Sequence, residues 1–158
     1  HKSTFKVKEE YRILFEGIAC WPHLRHTYTQ LKNAGVNVVG TVYADAFGYI
    51  YSNTNELMKA YCNPPNAISY ERSLDMRLKI IKENKCDGVL IHINRSCKQW
   101  SGFMYQMGRD IAEKTGIPVV TFDGDQADPR NFSEAQYDTR VQGLIEVMAA
   151  NKEAKNRE

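Results

Sequence analysis

GVLIHINRSCKQW, residues 88–100, is the stretch on which the fold turns. Gly88 to Ile93 is short and apolar except for His92, and it does not alternate. A strand of that kind is buried on both faces, as in the parallel sheets of α/β proteins. A polar loop follows, Asn94-Arg95-Ser96-Cys97-Lys98-Gln99-Trp100. Helical spacing then starts: Met104, Met107 and Ile111 share one face of a helix predicted from Ser101 to Lys114. Strand, loop and helix in that order make one βα unit.

The same unit recurs on either side. Arg12-Ile13-Leu14-Phe15 is a first strand closed by Glu16-Gly17. Leu24, Tyr28 and Leu31 give a helix that Asn33-Ala34-Gly35 ends. Val36 to Tyr43 (VNVVGTVY), rich in β-branched residues, is a second strand. Asn53 to Tyr61 is a short helix stopped by Asn63-Pro64-Pro65. Ser69 to Lys85 is a long one, with Leu74, Leu78 and Ile81 as its apolar stripe and Arg72, Arg77, Lys79 and Lys82 mostly outside. After residues 88–93 and their helix, Thr115-Gly116-Ile117-Pro118 is a C-cap and turn. Val119-Val120-Thr121-Phe122 is the fourth strand. Ser133 and Gln136 form the capping box of a last helix that buries Tyr137, Val141, Leu144, Ile145 and Met148.

This alternation predicts a flavodoxin-like three-layer α/β domain. It has a parallel sheet of about four strands in the order 2-1-3-4, with helices on both faces. Residues 1–11 read as a linker or lead-in segment, 12–150 as a single domain, and 151–158 as a charged tail that frays. In such sheets ligands sit beyond the carboxyl ends of the strands, where the strand order reverses.

The totals narrow the function classes. A chain of 158 residues suffices for one domain with a sizeable core. A net charge of +2 gives no footprint for nucleic acid. No apolar run is long enough to span a membrane, and the polar opening HKSTFKVKEEYR is no signal peptide. The first residue is His rather than Met, so the expectation is a processed chain or a fragment of a longer subunit. Cys20, Cys62, Cys86 and Cys97 form no CxxC or CxxH pair, which argues against a self-contained zinc site. Free thiols fit a reducing, cytoplasmic setting.

The carboxyl-edge loops hold most of the unusual polar residues: 16–23 (EGIACWPH), 44–49 (ADAFGY), 94–100 (NRSCKQW) and 123–131 (DGDQADPRN). Cys97 stands just before a helix start, between Arg95 and Lys98. That setting favours a thiolate, which serves as a nucleophile or as a metal ligand. A nucleophile needs a base. His23 lies in a suitable loop, whereas His92 reads as a hydrogen-bonded core residue. Cys20 either faces Cys97 or packs. DGDQAD has the Asp-x-Asp form of aspartyl phosphatases, but only one helix follows it, so an Asx-rich turn is the better reading.

Two segments carry a more specific signal. INRSCKQWSGFMYQMGRDIAEKTGIPVVTFDGDQADPRNFSEAQYDTRVQGLIEVM and EGIACWPHLRHTYTQLKNAGVNVVGTVYAD resemble the C-terminal domain of the 2-hydroxyacyl-CoA dehydratases. The likeness runs from about Tyr11 to Met148. It is closest to the α subunit of the D component, and there to the (R)-2-hydroxyglutaryl-CoA group. The resemblance implies an αβ heterodimer from anaerobic amino-acid fermentation, with a [4Fe–4S] cluster in each subunit held by three cysteines. By motif position Cys97 is one of the three, and the others come from missing N-terminal domains of the same subunit. It also implies an ATP-dependent iron–sulfur activator and removal of water from (R)-2-hydroxyacyl-CoA through a ketyl radical, giving an enoyl-CoA. FMN is a further cofactor candidate for the full complex, while the isolated fragment is expected to bind no cofactor. Trp21, Arg95 and Arg130 are candidate substrate-binding residues. The alternative is a stand-alone flavodoxin-like module binding FMN or a CoA thioester. Against it, no Ser/Thr/Gly-rich phosphate loop follows strand 1.

Overall fold

A computed structural model describes residues 5–157. The ends of the expected linker and tail, residues 1–4 and 158, lie outside the described residues. Four parallel strands form one sheet in the order β2-β1-β3-β4. They are β1 (Tyr11–Glu16), β2 (Val36–Thr41), β3 (Gly88–Asn94) and β4 (Val119–Gly124). The fold is flavodoxin-like, and β1 and β3 lie side by side at its centre.

Side chains of the two central strands point alternately to two cores. Ile13, Phe15 and Leu90 pack with α1 (Leu24–Asn33) and the last helix, Glu134–Lys155. Leu14, Val89, Ile91 and Ile93 pack on the other face. There they meet Leu74 and Ile81 of the helix Tyr70–Glu83, and Met104, Met107 and Ile111 of the helix Met104–Thr115. Every residue of β3 is buried. With apolar atoms on both sides, β3 has no solvent face to favour an alternating sequence.

Between α1 and the last helix, the remaining helices are α2 (Val42–Asp45), α3 (Thr54–Ala60), α4 (Tyr70–Glu83), α5 (Lys98–Ser101) and α6 (Met104–Thr115); the last is α7 (Glu134–Lys155). Capping follows the local chemistry. The side chains of Asn53, Ser69 and Ser133 accept hydrogen bonds from the amides of Glu56, Arg72 and Gln136. Gly116 closes α6 in the left-handed region at φ 70°.

Four expectations need correction. Strand β2 stops at Thr41, because pairing ends where Phe15 meets Thr41; Val42 then turns inward, fully buried, and starts α2. The helix expected from Ser101 starts at Met104 as α6, and a separate short helix, α5, precedes it across Gly102–Phe103. The charged tail is helical as far as Lys155, and Lys152 reaches the Glu10 carbonyl at 3.0 Å. Finally, Arg77 is not outside: it is fully buried.

Arg77 sits between Leu74 and Ile81 on the inner face of α4, beneath the end of β1. It donates to both carboxylate oxygens of Glu16, at 2.9 Å each, and to the Ser73 carbonyl at 2.8 Å. Its guanidinium also lies 5.7 Å from the Trp100 ring centre. A buried charge survives only when paired and hydrogen-bonded, and the bidentate arrangement meets that requirement.

Candidate functional site

The carboxyl ends of β1, β3 and β4 bring three loops together. β1 ends at Glu16, and Gly17 follows with φ +101°, a region that L side chains rarely adopt. A side chain there would also meet the His92 carbonyl at 2.9 Å and Trp100 Nε1 at 3.3 Å. The chain therefore turns tightly over β3 and enters the buried stretch Ala19–Cys20. The imidazole of His92 lies beneath, fully buried, stacked on Phe122 at 4.9 Å. Its Nδ1 donates to the Ile18 carbonyl at 2.5 Å, while Nε2 has no partner among the described residues. Burial pushes the His92 pKa down, so the ring is held neutral. It is a core histidine that pins the β1 loop.

The Cys97 loop is fastened to the β4 loop at several points. Buried Asn94 donates to the Gln126 side chain at 2.9 Å and accepts from the Gln126 amide at 3.2 Å. The Arg95 amide donates to the Gly124 carbonyl at 3.0 Å. The Ser96 hydroxyl donates to the Asp125 carboxylate. Asp125 also accepts from the amides of Ala127 and Asp128, at 2.8 and 3.0 Å. Those bonds, the Ser96 hydroxyl foremost, hold its pKa down to about 2. The Asp125 carbonyl in turn receives the Cys20 thiol at 3.2 Å.

Cys97 is half-buried on this braced loop, with its amide donating to the Asn94 carbonyl at 3.1 Å. Its setting differs from the sequence reading in two ways. The helix it caps has only four residues, and the long helix begins at Met104. The Arg95 guanidinium turns to Asp123, at 3.1 Å. The other three thiols are placed differently. Cys86 is buried at the opposite edge, ahead of β3. Cys62 is exposed just past α3. Cys20 is buried, and burial raises its thiol pKa, so it packs as a neutral donor.

His23 is not brought to Cys97. Its Nε2 lies 3.1 Å from the Pro129 carbonyl, and its ring stacks on Phe132 at 4.4 Å. These contacts tie the turn before α1 to the loop before α7. Trp21 is half-exposed on the β1 loop, next to Pro22 in a short 3-10 turn. Arg130 projects from the β4 loop, 86% exposed, and chelates the Asp128 carboxylate. Trp21, Arg95 and Arg130 thus stand on the same edge of the sheet, on three different loops.

Among the described residues, no group of three His, Cys, Asp or Glu side chains could hold a metal ion. Asp125 and Asp128 are committed to backbone amides and Arg130. A half-buried thiol on a fixed loop fits the part of one ligand in a set completed from elsewhere. Among the described residues, too, no helix is long and apolar enough to cross a membrane.

The sequence of Glu16 and Arg77 holds a signal that was missed. Residues 74, 77, 78 and 81 share one helix face, so Arg77 lies on the apolar stripe itself. A cation on that stripe requires a buried anion, and Glu16 at a strand end is the matching one.

Comparison with known proteins places the chain in a wider group. Residues 1–148 match the family described as 2-hydroxyglutaryl-CoA dehydratase, D-component. The chain is 63% identical over 153 residues to the (R)-phenyllactyl-CoA dehydratase alpha subunit of Clostridium sporogenes, covering 97% of this chain and 38% of that one. It is 55% identical over 155 residues to the alpha subunit of (R)-2-hydroxyglutaryl-CoA dehydratase from Acidaminococcus fermentans, covering 98% and 32%. The alpha subunit of (R)-2-hydroxyisocaproyl-CoA dehydratase from Clostridioides difficile is 44% identical over 153 residues, covering 96% and 38%. The chain spans about a third of the length of these curated relatives.

Proposed function

The chain belongs to the 2-hydroxyglutaryl-CoA dehydratase D-component family, and from that premise we propose that it is the C-terminal domain of the α subunit of a 2-hydroxyacyl-CoA dehydratase. Residues 12–150 are the domain, within a longer subunit that pairs with a β subunit. The enzyme removes water from an (R)-2-hydroxyacyl-CoA to give an enoyl-CoA, in the cytoplasm of an anaerobe. An ATP-dependent iron–sulfur activator starts the reaction. 2-Hydroxyglutaryl-CoA is the first substrate to assay. The high identity to the phenyllactyl relative makes (R)-phenyllactyl-CoA the second.

The observation that carries this reading is the placement of Cys97. It is half-buried at the carboxyl edge of the central strand, on a loop anchored to the β4 loop by Asn94, Ser96 and Asp125. We assign it as this domain's ligand to a [4Fe–4S] cluster whose other thiolates come from the rest of the subunit. When bound, the cluster would lend one electron to the thioester and recover it once hydroxide and a substrate proton have left as water, so the dehydration is redox-neutral overall. The residues of this chain hold and shape. Asn94 and Asp125 fix the loop, and the buried Glu16–Arg77 pair supports Trp100 beneath it. Trp21, Arg95 and Arg130 offer aromatic and cationic contacts to a CoA thioester at the same edge.

The test is anaerobic purification of the full-length α subunit with its β partner. Iron, acid-labile sulfide and the visible spectrum are measured, then dehydration of both substrates with activator and ATP. A [4Fe–4S] spectrum with ATP-dependent dehydration is expected. An iron-free, flavin-containing protein without dehydratase activity would instead support the FMN-binding module.

A further inference from the structure

We propose that the surface carrying Phe47, Ile50, Tyr51, Met58 and Tyr61 is where the remainder of the same polypeptide packs. Ile50 is 98% exposed and Phe47 69%, and all five are exposed within a fifteen-residue stretch, 47–61. Solvated aliphatic and aromatic side chains at this density mark an interaction site rather than ordinary surface.

Helix α3 makes the argument physical. It has seven residues, and none of them is buried. A helix that short is marginal in water by itself, and helices in proteins draw most of their stability from a packed apolar face. α3 has caps, with Asn53 accepting from the Glu56 amide and Glu56 from the Ser52 amide. Among the described residues it finds no buried face to rest on. The Tyr49 and Tyr61 rings lie 5.1 Å apart, and Tyr43 and Phe47 likewise, so loop and helix form one continuous surface. Only Glu56 and Lys59 are charged between residues 46 and 62. The matching partner face is therefore apolar, with acceptors for tyrosine hydroxyls.

The choice of occupant rests on length. Roughly two thirds of each relative's chain lies outside the matched stretch. A covalently tethered domain meets this surface at an effective concentration of order mM, well ahead of a free subunit or a second copy. The segment also leaves β2 at the carboxyl edge, the edge that bears Cys97. Docking there brings the rest of the subunit next to Cys97. The inference rests on the proposed α subunit having its relatives' length, but not on its iron content.

The test is hydrogen–deuterium exchange on the full-length α subunit, alone and with its β partner, at two concentrations. Amides of residues 47–61 are expected to exchange at least about 100-fold more slowly than an unstructured chain in the α subunit alone, at both concentrations. In Ile50→Asp/Met58→Asp they should speed up at least about tenfold while residues 88–94 keep their protection. Three results overturn the proposal: near-unstructured exchange in every sample, protection that needs the β partner, or protection that rises with concentration as for a second copy. Unchanged exchange in the double variant overturns it as well. Iron content is measured on the same samples. Protection without iron leaves this inference standing and removes only the cluster reading.

Discussion

The Ser96 hydroxyl donates to the Asp125 carboxylate, joining the loop that carries Cys97 to the loop after β4. Asp125 spends its other oxygen on the amides of Ala127 and Asp128. One carboxylate thus organises both loops, and its ionised form is the one the bonds stabilise.

Asp125→Asn is expected to lower dehydratase activity of the complete enzyme while iron content stays constant. The pH sign follows from the depressed pKa of about 2. The carboxylate's contribution is complete above the unfolded-chain value of about 3.9, and it is lost as pH falls from there toward 2. Denaturant titrations of the 158-residue chain at a series of pH values should show a shallower acid limb for Asp125→Asn. Parallel limbs would show that Asp125 does not brace the loops. Tight magnesium binding lost in the variant would point instead to a phosphatase-like acidic site.

Arg77→Met should destabilise the domain by about 3–5 kcal/mol, since Glu16 is left buried without its counter-charge. The double variant Glu16→Leu/Arg77→Met should recover part of that loss. Urea midpoints of the single and double variants decide the matter. A cost below about 1 kcal/mol for the single change would mean that the pair is solvated.

Neutral, buried His92 gives a second pH dependence. Its folded pKa lies below the ordinary value of 6.5, mainly through burial. As pH falls below 6.5 the unfolded chain takes up a proton that the folded one resists, so stability declines. His92→Leu should remove that slope. It should also free the β1 loop, because the bond from Nδ1 to the Ile18 carbonyl is lost. Comparing unfolding midpoints between about pH 7 and 5 for both proteins checks the sign.

Most of the architecture was legible because local and global signals agree. Apolar runs such as residues 88–93, and caps such as Ser69, Ser133 and Gly116, can each be read without knowing their neighbours. Alternation of elements implies the parallel sheet, and the order 2-1-3-4 is one of the doubly wound orders it allows. The elements misread depended on distant partners. Val42 leaves β2 because pairing with β1 ends at Phe15–Thr41 and its side chain is buried in the core. Arg77 turns inward because Glu16, 61 positions earlier, waits beneath it. At the site, the family resemblance is what singles out Cys97 among the four thiols as the proposed ligand. It could not show that Ser96, Asn94 and Gln126 brace the loop, since those bonds span 29 and 32 residues. Nor could a solvated-looking histidine reveal that His23 is engaged by Pro129 and Phe132.

The central claim is that Cys97 is a cluster ligand, and Cys97→Ala in the full αβ enzyme tests it most directly, with Cys86→Ala as the matched control. Cys86 is buried at the other end of β3, and burial raises its thiol pKa to about 11. Its loss should cost only packing, about 1–2 kcal/mol, and leave iron content and turnover intact. Cys97→Ala should lower iron by about one cluster per heterodimer and abolish dehydration, since a cluster left with fewer thiolates is lost or degraded. Full iron and full turnover in Cys97→Ala would contradict the assignment and make the thiol a packing residue.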